Sequence, residues 1–95
     1  MKQLKDYYDE PIRVFADDVD NIAEDFMLDL VRKYGKVIRR AVKSGERYIN
    51  AVQLLLDLEW SMVYGSVMRD YSTHVTISPT EDCIHVTFES KFIYD

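Results

Sequence analysis

The chain has 95 residues, of which 47% are hydrophobic and 31% charged, and its formal net charge is −5. This apolar content is typical of a folded protein and excludes wholesale disorder, and the length predicts one domain over residues 1–95. No apolar run reaches the ~20 residues that span a membrane, and no signal-peptide region is visible. The lone Cys83 excludes an internal disulfide. We therefore expect a cytoplasmic protein that does not enter a membrane.

The N-terminal half predicts a short strand and a long helix. Residues 12–16 alternate in polarity, which favours an edge strand or an extended lead-in. Apolar residues then recur at helical spacing and stop before Gly45, which predicts a helix over about 18–44. Asp17 and Asp18 are the candidate N-caps of this helix.

A second helix is predicted over about 46–70, and it is apolar most of the way round. Such a helix is normally buried on more than one side. In a chain of this length, two coverings remain for it: the C-terminal strands or a second copy of the protein.

The C-terminal residues predict an antiparallel β-hairpin. Apolar residues alternate over 73–78 and 83–88, around a four-residue loop. Pairing Ser78 with Cys83 places these apolar side chains on one face. The predicted fold class is therefore α+β, with two long antiparallel helices packed on a small antiparallel sheet. Residues 12–16 are a candidate third, N-terminal strand of that sheet.

Acidic residues are concentrated at the start of the chain. The first 31 residues hold nine acidic and three basic side chains, with aromatic residues among them. Carboxylates and aromatics in this pattern are typical of a surface that fills a basic cleft on another protein in place of nucleic-acid phosphates; a solvated surface is the simpler interpretation. We assign partner binding to this segment, through Asp17, Asp18, Asp20, Glu24, Asp25, Tyr7 and Tyr8.

Basic residues cluster in the middle of the chain, where residues 32–48 hold seven bases and one acid. At helical spacing, four of them share one face: Arg32, Lys36, Arg39 and Lys43. Bases near a helix C-terminus complement the helix dipole, which explains them without any ligand. The same face would suit an antiparallel homodimer or the phosphates of a nucleic acid. The acidic total argues against nucleic acid, which we keep as an alternative partner.

Two further groups of residues are candidates for chemistry. Glu59 falls within the apolar face of the second helix, so we expect it to need a base, a Tyr hydroxyl or a backbone amide as partner; a general acid or base is the functional alternative. Cys83, His85 and His74 are predicted on the outward face of the hairpin. Their spacing matches no familiar zinc site, so we assign no metal.

No nucleophile–base grouping, phosphate-binding loop or dinucleotide motif is present in the sequence. We expect no enzymatic activity and no cofactor. The predicted function is a small acidic interaction module that inhibits or neutralises another macromolecule by occupying its binding surface, as phage-type anti-defence proteins, nucleic-acid mimics and immunity proteins do. The expected partner is a protein, with homodimerisation also expected. The alternatives are a nucleic-acid-binding regulator that uses the basic face and an obligate homodimeric structural protein.

Overall fold

Two helices pack on a three-stranded sheet in the computed structural model, which describes residues 11–17, 23–67, 71–80 and 82–92. The elements in chain order are β1 (Ile12–Asp17), α1 (Glu24–Ser44), α2 (Glu46–Val67), β2 (Tyr71–Pro79) and β3 (Ile84–Phe92). The α+β prediction is confirmed, including the N-terminal strand. The strand order is β1-β3-β2, with β1 parallel and β2 antiparallel to β3. The sheet is therefore mixed. The chain runs from β1 through both helices to β2, and β3 then lies between β1 and β2.

The helix α1 presents one continuous apolar face to the sheet. Its buried residues recur every three or four positions: Met27, Leu30, Val31, Gly35, Ile38, Ala41 and Val42. The N-cap is Ala23, without a side-chain capping bond. The prediction of an N-cap at Asp17 is wrong, because this residue is the last of β1. The other candidate, Asp18, lies outside the described residues.

A single residue, Gly45, joins the two helices. Its φ of 115° lies in the left-handed region that favours glycine. The Gly45 N–H donates to the Ala41 carbonyl at 3.0 Å, and its own carbonyl accepts from the N–H groups of Tyr48 and Ile49 at 3.1 Å. Gly45 therefore ends α1 and begins α2, and the predicted end of the first helix is confirmed.

The indole of Trp60 lies at the centre of the core. It is fully buried, with its ring centroid 4.9 Å from Tyr64, 5.1 Å from Phe88 and 6.0 Å from Phe26. Its Nε1–H donates to the carbonyl of Glu89 at 3.3 Å, which gives the buried polar atom a partner. One side chain of α2 thus contacts both α1 and β3.

The hairpin register differs by two residues from the predicted pairing. Ser78 pairs with His85, so its predicted pairing with Cys83 is wrong. The turn is closed instead between Thr80 and Cys83: the Thr80 N–H donates to the Cys83 carbonyl at 2.9 Å, and the Cys83 N–H donates to Thr80 Oγ1 at 3.1 Å. A shift of two residues keeps every side chain on its face. The prediction that Val75, Ile77, Ile84 and Val86 share the core face is therefore confirmed.

Side chains of α2 cover the outer edge of β2. Gln53 Oε1 accepts from the Ile77 N–H at 3.0 Å, and Asp57 Oδ1 accepts from the Val75 N–H at 2.6 Å. The next alternate residue of the strand, Pro79, has no N–H. An open strand edge is a template for pairing with another chain. At these positions of β2 that edge is closed.

We expect Asp57→Ala to lower the free energy of unfolding by about 1–3 kcal/mol, because the buried Val75 N–H loses its acceptor. Urea denaturation followed by circular dichroism measures this. The control is Asn50→Ala, an exposed position on the same helix, which should leave stability unchanged or slightly higher, because alanine favours a helix more than asparagine does. Equal losses in the two variants would contradict a stabilising role for the edge bond.

Candidate interaction surfaces

Three polar side chains in the middle of α2 form hydrogen bonds with other elements of the molecule. Gln53 and Asp57 bind the edge of β2, as described above. Glu59, half-buried, accepts a hydrogen bond from the Tyr34 hydroxyl of α1, and its Oε1 lies 3.8 Å from Lys33 Nζ. Of the partners predicted for Glu59, the structure has the Tyr hydroxyl, with a lysine nearby. This contact joins α1 to α2.

The carboxylate of Glu59 changes the chemistry of Tyr34. The hydrogen bond from Tyr34 to Glu59 raises the pKa of the phenol above its usual 10.0, because ionisation would break this bond. Partial desolvation and the negative charge of Glu59 add to the rise, whereas Lys33 opposes it. The contact therefore favours the neutral phenol.

Away from the edge of β2, α2 has an apolar and exposed surface. Four side chains form this surface, which we call the outer face: Leu54 (68% exposed), Leu55 (38%), Leu58 (60%) and Met62 (66%). Leu54, Leu58 and Met62 follow one another at four-residue spacing, so they line one side of the helix. The prediction that α2 has apolar surface on several sides is confirmed. The strands and α1 cover part of it, and the outer face lies in solvent.

The acidic residues assigned to partner binding are only partly described. Glu24 and Asp25 are exposed on the first turn of α1, where negative charge complements the helix dipole. The backbone of Asp17 ends β1 on the chain segment just before them. Outside the described residues lie Asp18, Asp20, Tyr7 and Tyr8. The structure thus places two of the seven side chains together.

The four basic residues lie along one side of α1, as their spacing predicts. Arg32 and Lys36 are exposed, and Arg39 and Lys43 are half-buried. Arg32 Nη1 lies 3.3 Å from Asp29 Oδ1, and both of these side chains are largely in solvent. Such an exposed pair contributes little to stability. We call these four residues, Arg32, Lys36, Arg39 and Lys43, the basic stripe; its first residue, Arg32, lies next to Asp29.

The predicted grouping of Cys83 with the two histidines is wrong. Cys83 is buried in the turn rather than on the outward face of the sheet. His74 Nδ1 lies 2.9 Å from Asp57 Oδ2, and the His85 ring centroid is 4.8 Å from that of Phe15. Within the described ranges, no three His, Cys, Asp or Glu side chains are grouped so that they could hold a metal.

Sequence reasoning missed the roles of Gln53 and Asp57. Their four-residue spacing in an apolar helix is visible in the sequence, but this spacing does not show which backbone groups they bind.

Among the helical residues that the structure describes, no segment is long and apolar enough to cross a membrane.

No protein-family model, curated protein or solved structure matches the chain. The function therefore has to follow from the surfaces of this molecule.

We expect Tyr34→Phe to remove one tyrosine ionisation whose midpoint lies above pH 10.0 in the folded protein. A raised pKa in the folded state means that the stabilisation is fully present below the unfolded pKa of about 10 and is lost as pH rises through the folded value. The stability advantage of the wild type over the variant should therefore shrink above pH 10.0.

Ultraviolet difference titration of the wild type against Tyr34→Phe measures this ionisation. The control is Tyr48→Phe, at an exposed position on α2, which should leave the high-pH component in place. A missing component with its midpoint at or below pH 10.0 would contradict the effect of Glu59.

Proposed function

We propose that this protein is a small interaction module that inhibits or neutralises another macromolecule by occupying its binding surface, without catalysing a reaction. The observation that carries the proposal is the polarity of α2. Three polar residues in its middle, Gln53, Asp57 and Glu59, are hydrogen-bonded to other elements of the molecule, whereas Leu54 and Leu58 are exposed. A helix that faces only water has the opposite arrangement. A contiguous exposed apolar surface is typical of a site of protein contact.

The acidic start of the chain supports a partner with a basic surface. Glu24 and Asp25 are exposed at the beginning of α1, and nine acids lie within the first 31 residues. Complementary charge selects the partner and speeds association. A protein that binds nucleic acid, such as a defence nuclease or a nuclease toxin, has a surface of this kind. An acidic surface is what phage-type inhibitors and immunity proteins require to bind such a target.

We also propose a cytoplasmic location, because a single cysteine suits a reducing compartment.

We expect the tagged protein to capture a stoichiometric partner from nuclease-treated lysate of its source or host cell, and to inhibit that partner once purified. Reversing the charge of Asp17, Asp18, Asp20 and Glu24 together should weaken binding at least tenfold and restore the partner's activity, because complementary charges become repulsive. The control is Asp82→Lys, an exposed acid in the hairpin turn. Unchanged affinity in the fourfold variant, with an intact circular-dichroism spectrum, would contradict the acidic contact.

A second candidate function is nucleic-acid binding by the basic stripe of α1. The alignment of Arg32, Lys36, Arg39 and Lys43 along one side of the helix favours it. Over three turns, these four bases span about 16 Å of helix axis.

If the stripe binds duplex DNA through four phosphates, the logarithm of affinity should fall with the logarithm of salt concentration with a slope of about −4. Fluorescence anisotropy with a labelled duplex measures this slope. Lys36→Glu combined with Lys43→Glu should abolish binding, and Lys91→Glu, an exposed base on β3, is the control. Absence of binding at low salt would dismiss this function.

A further inference from the structure

The outer face of α2 is extensive for a chain of this size. Tyr48 and Val63, also exposed, extend the four side chains that define it. Together these six side chains present on the order of 500 Å² of apolar surface, near the upper end of what monomers leave in one patch. Two such faces in contact would bury roughly 1,000 Å², which is about where specific interfaces begin. The area is therefore sufficient for a contact between two copies of the chain.

The charges around the outer face indicate what covers it. Between Tyr48 and Met62, the charged residues are Asp57 and Glu59. Asp57 is bound to the edge of β2, and Glu59, whose side chain remains 29% exposed, is bound to Tyr34 with Lys33 Nζ 3.8 Å from its carboxylate. The four side chains that define the outer face carry no charge, and the neighbouring Glu59 is paired with Lys33, so the face has little net charge with which to select a charged partner. An identical face meets it without leaving a buried charge unpaired, because each Glu59 keeps the Lys33 of its own chain beside it.

We propose that a second copy of this chain covers the outer face, with the two α2 helices antiparallel about a two-fold axis at Leu58. The inference rests on the proposed function in one respect, which is that this face is a contact surface. In a two-fold interface, residue i meets j and j meets i. Leu58 therefore meets its own copy, and Leu54 lies beside Met62 of the partner subunit, because both are four residues from the axis. The acidic residues at the start of α1 stay available for the inhibited partner.

Cysteine cross-linking of the full chain tests this geometry. The native Cys83 is buried and does not compete. Under mild oxidation, Leu58→Cys should give a disulfide-linked dimer. Leu54→Cys alone should stay monomeric, because the two copies of residue 54 lie about 12 Å apart along the helices, beyond disulfide reach. A mixture of Leu54→Cys with Met62→Cys should cross-link after subunit exchange. Leu28→Cys, an exposed position on α1, is the control that should not cross-link.

Light scattering provides the second measurement. The wild type should have twice the chain mass of 11.2 kDa. Leu58→Glu should reduce the mass to that of one chain with an unchanged circular-dichroism spectrum, because Leu58 is already exposed in the protomer. The exposed control Leu28→Glu should remain a dimer.

Three outcomes would overturn the inference: a wild-type monomer at every concentration, a dimer that survives Leu58→Glu, or a dimer that Leu58→Cys fails to cross-link. If the wild type is a monomer and Leu58→Glu loses the captured inhibition target, the second copy is excluded while the proposed function stands. If no target is captured but the dimer forms and cross-links as described, the proposed function fails and the second-copy inference is supported.

Discussion

Two hydrogen bonds between a helix and a strand edge set the orientation of α2, on which the rest of the structure depends. Gln53 and Asp57 are four residues apart, so they lie about 6 Å apart along the helix axis. They accept hydrogen bonds from the N–H groups of Val75 and Ile77, which are separated by nearly the same distance along β2. Because the spacings match, both bonds form at once and fix the helix in rotation and in height. Trp60, almost one turn beyond Asp57, then points into the core.

The same rotation decides what α2 presents to solvent. Hydrogen bonds to a charged acceptor such as Asp57 contribute about 1.5–3 kcal/mol each. Fully burying a large apolar side chain is worth a similar amount. With Leu54, Leu58 and Met62 exposed, a single chain lacks several such contributions, while it keeps the edge bonds and the burial of Trp60. Any protein that covers the outer face recovers part of this free energy, so folding stability and binding are thermodynamically linked.

The sequence predicts the elements well, because each depends on local pattern. The spacing of apolar residues locates both helices, Gly45 marks their junction, and strict alternation assigns the core face of the hairpin. The direction of β1 and the pairing of β2 with β3 depend on contacts between distant residues. In particular, the side chain of Thr80 closes the turn and moves the register by two residues, which no alternation pattern reveals.

The surfaces were predictable only in part. The positions of the basic stripe and of Glu24 and Asp25 follow from helical spacing alone. The outer face was not predictable, because its exposure depends on the rotation of α2. That rotation is set by the hydrogen bonds of Gln53 and Asp57, and these bonds can form only when β2 lies beside α2. A helix with apolar residues all round gives no indication of which side remains uncovered.

The strand order has a consequence for how the protein is made. β3 is the last of the five elements that the structure describes, yet it lies between β1 and β2 and provides the pairing for both. During synthesis, which proceeds at about 5–20 residues per second, the helical hairpin around Gly45 has all its residues before any strand has its partner. The sheet can form only when β3 is available, because both of its strand pairings involve β3. Until β3 has been synthesised, neither β1 nor β2 has its strand partner, so α2 lacks the complete sheet that covers its inner side.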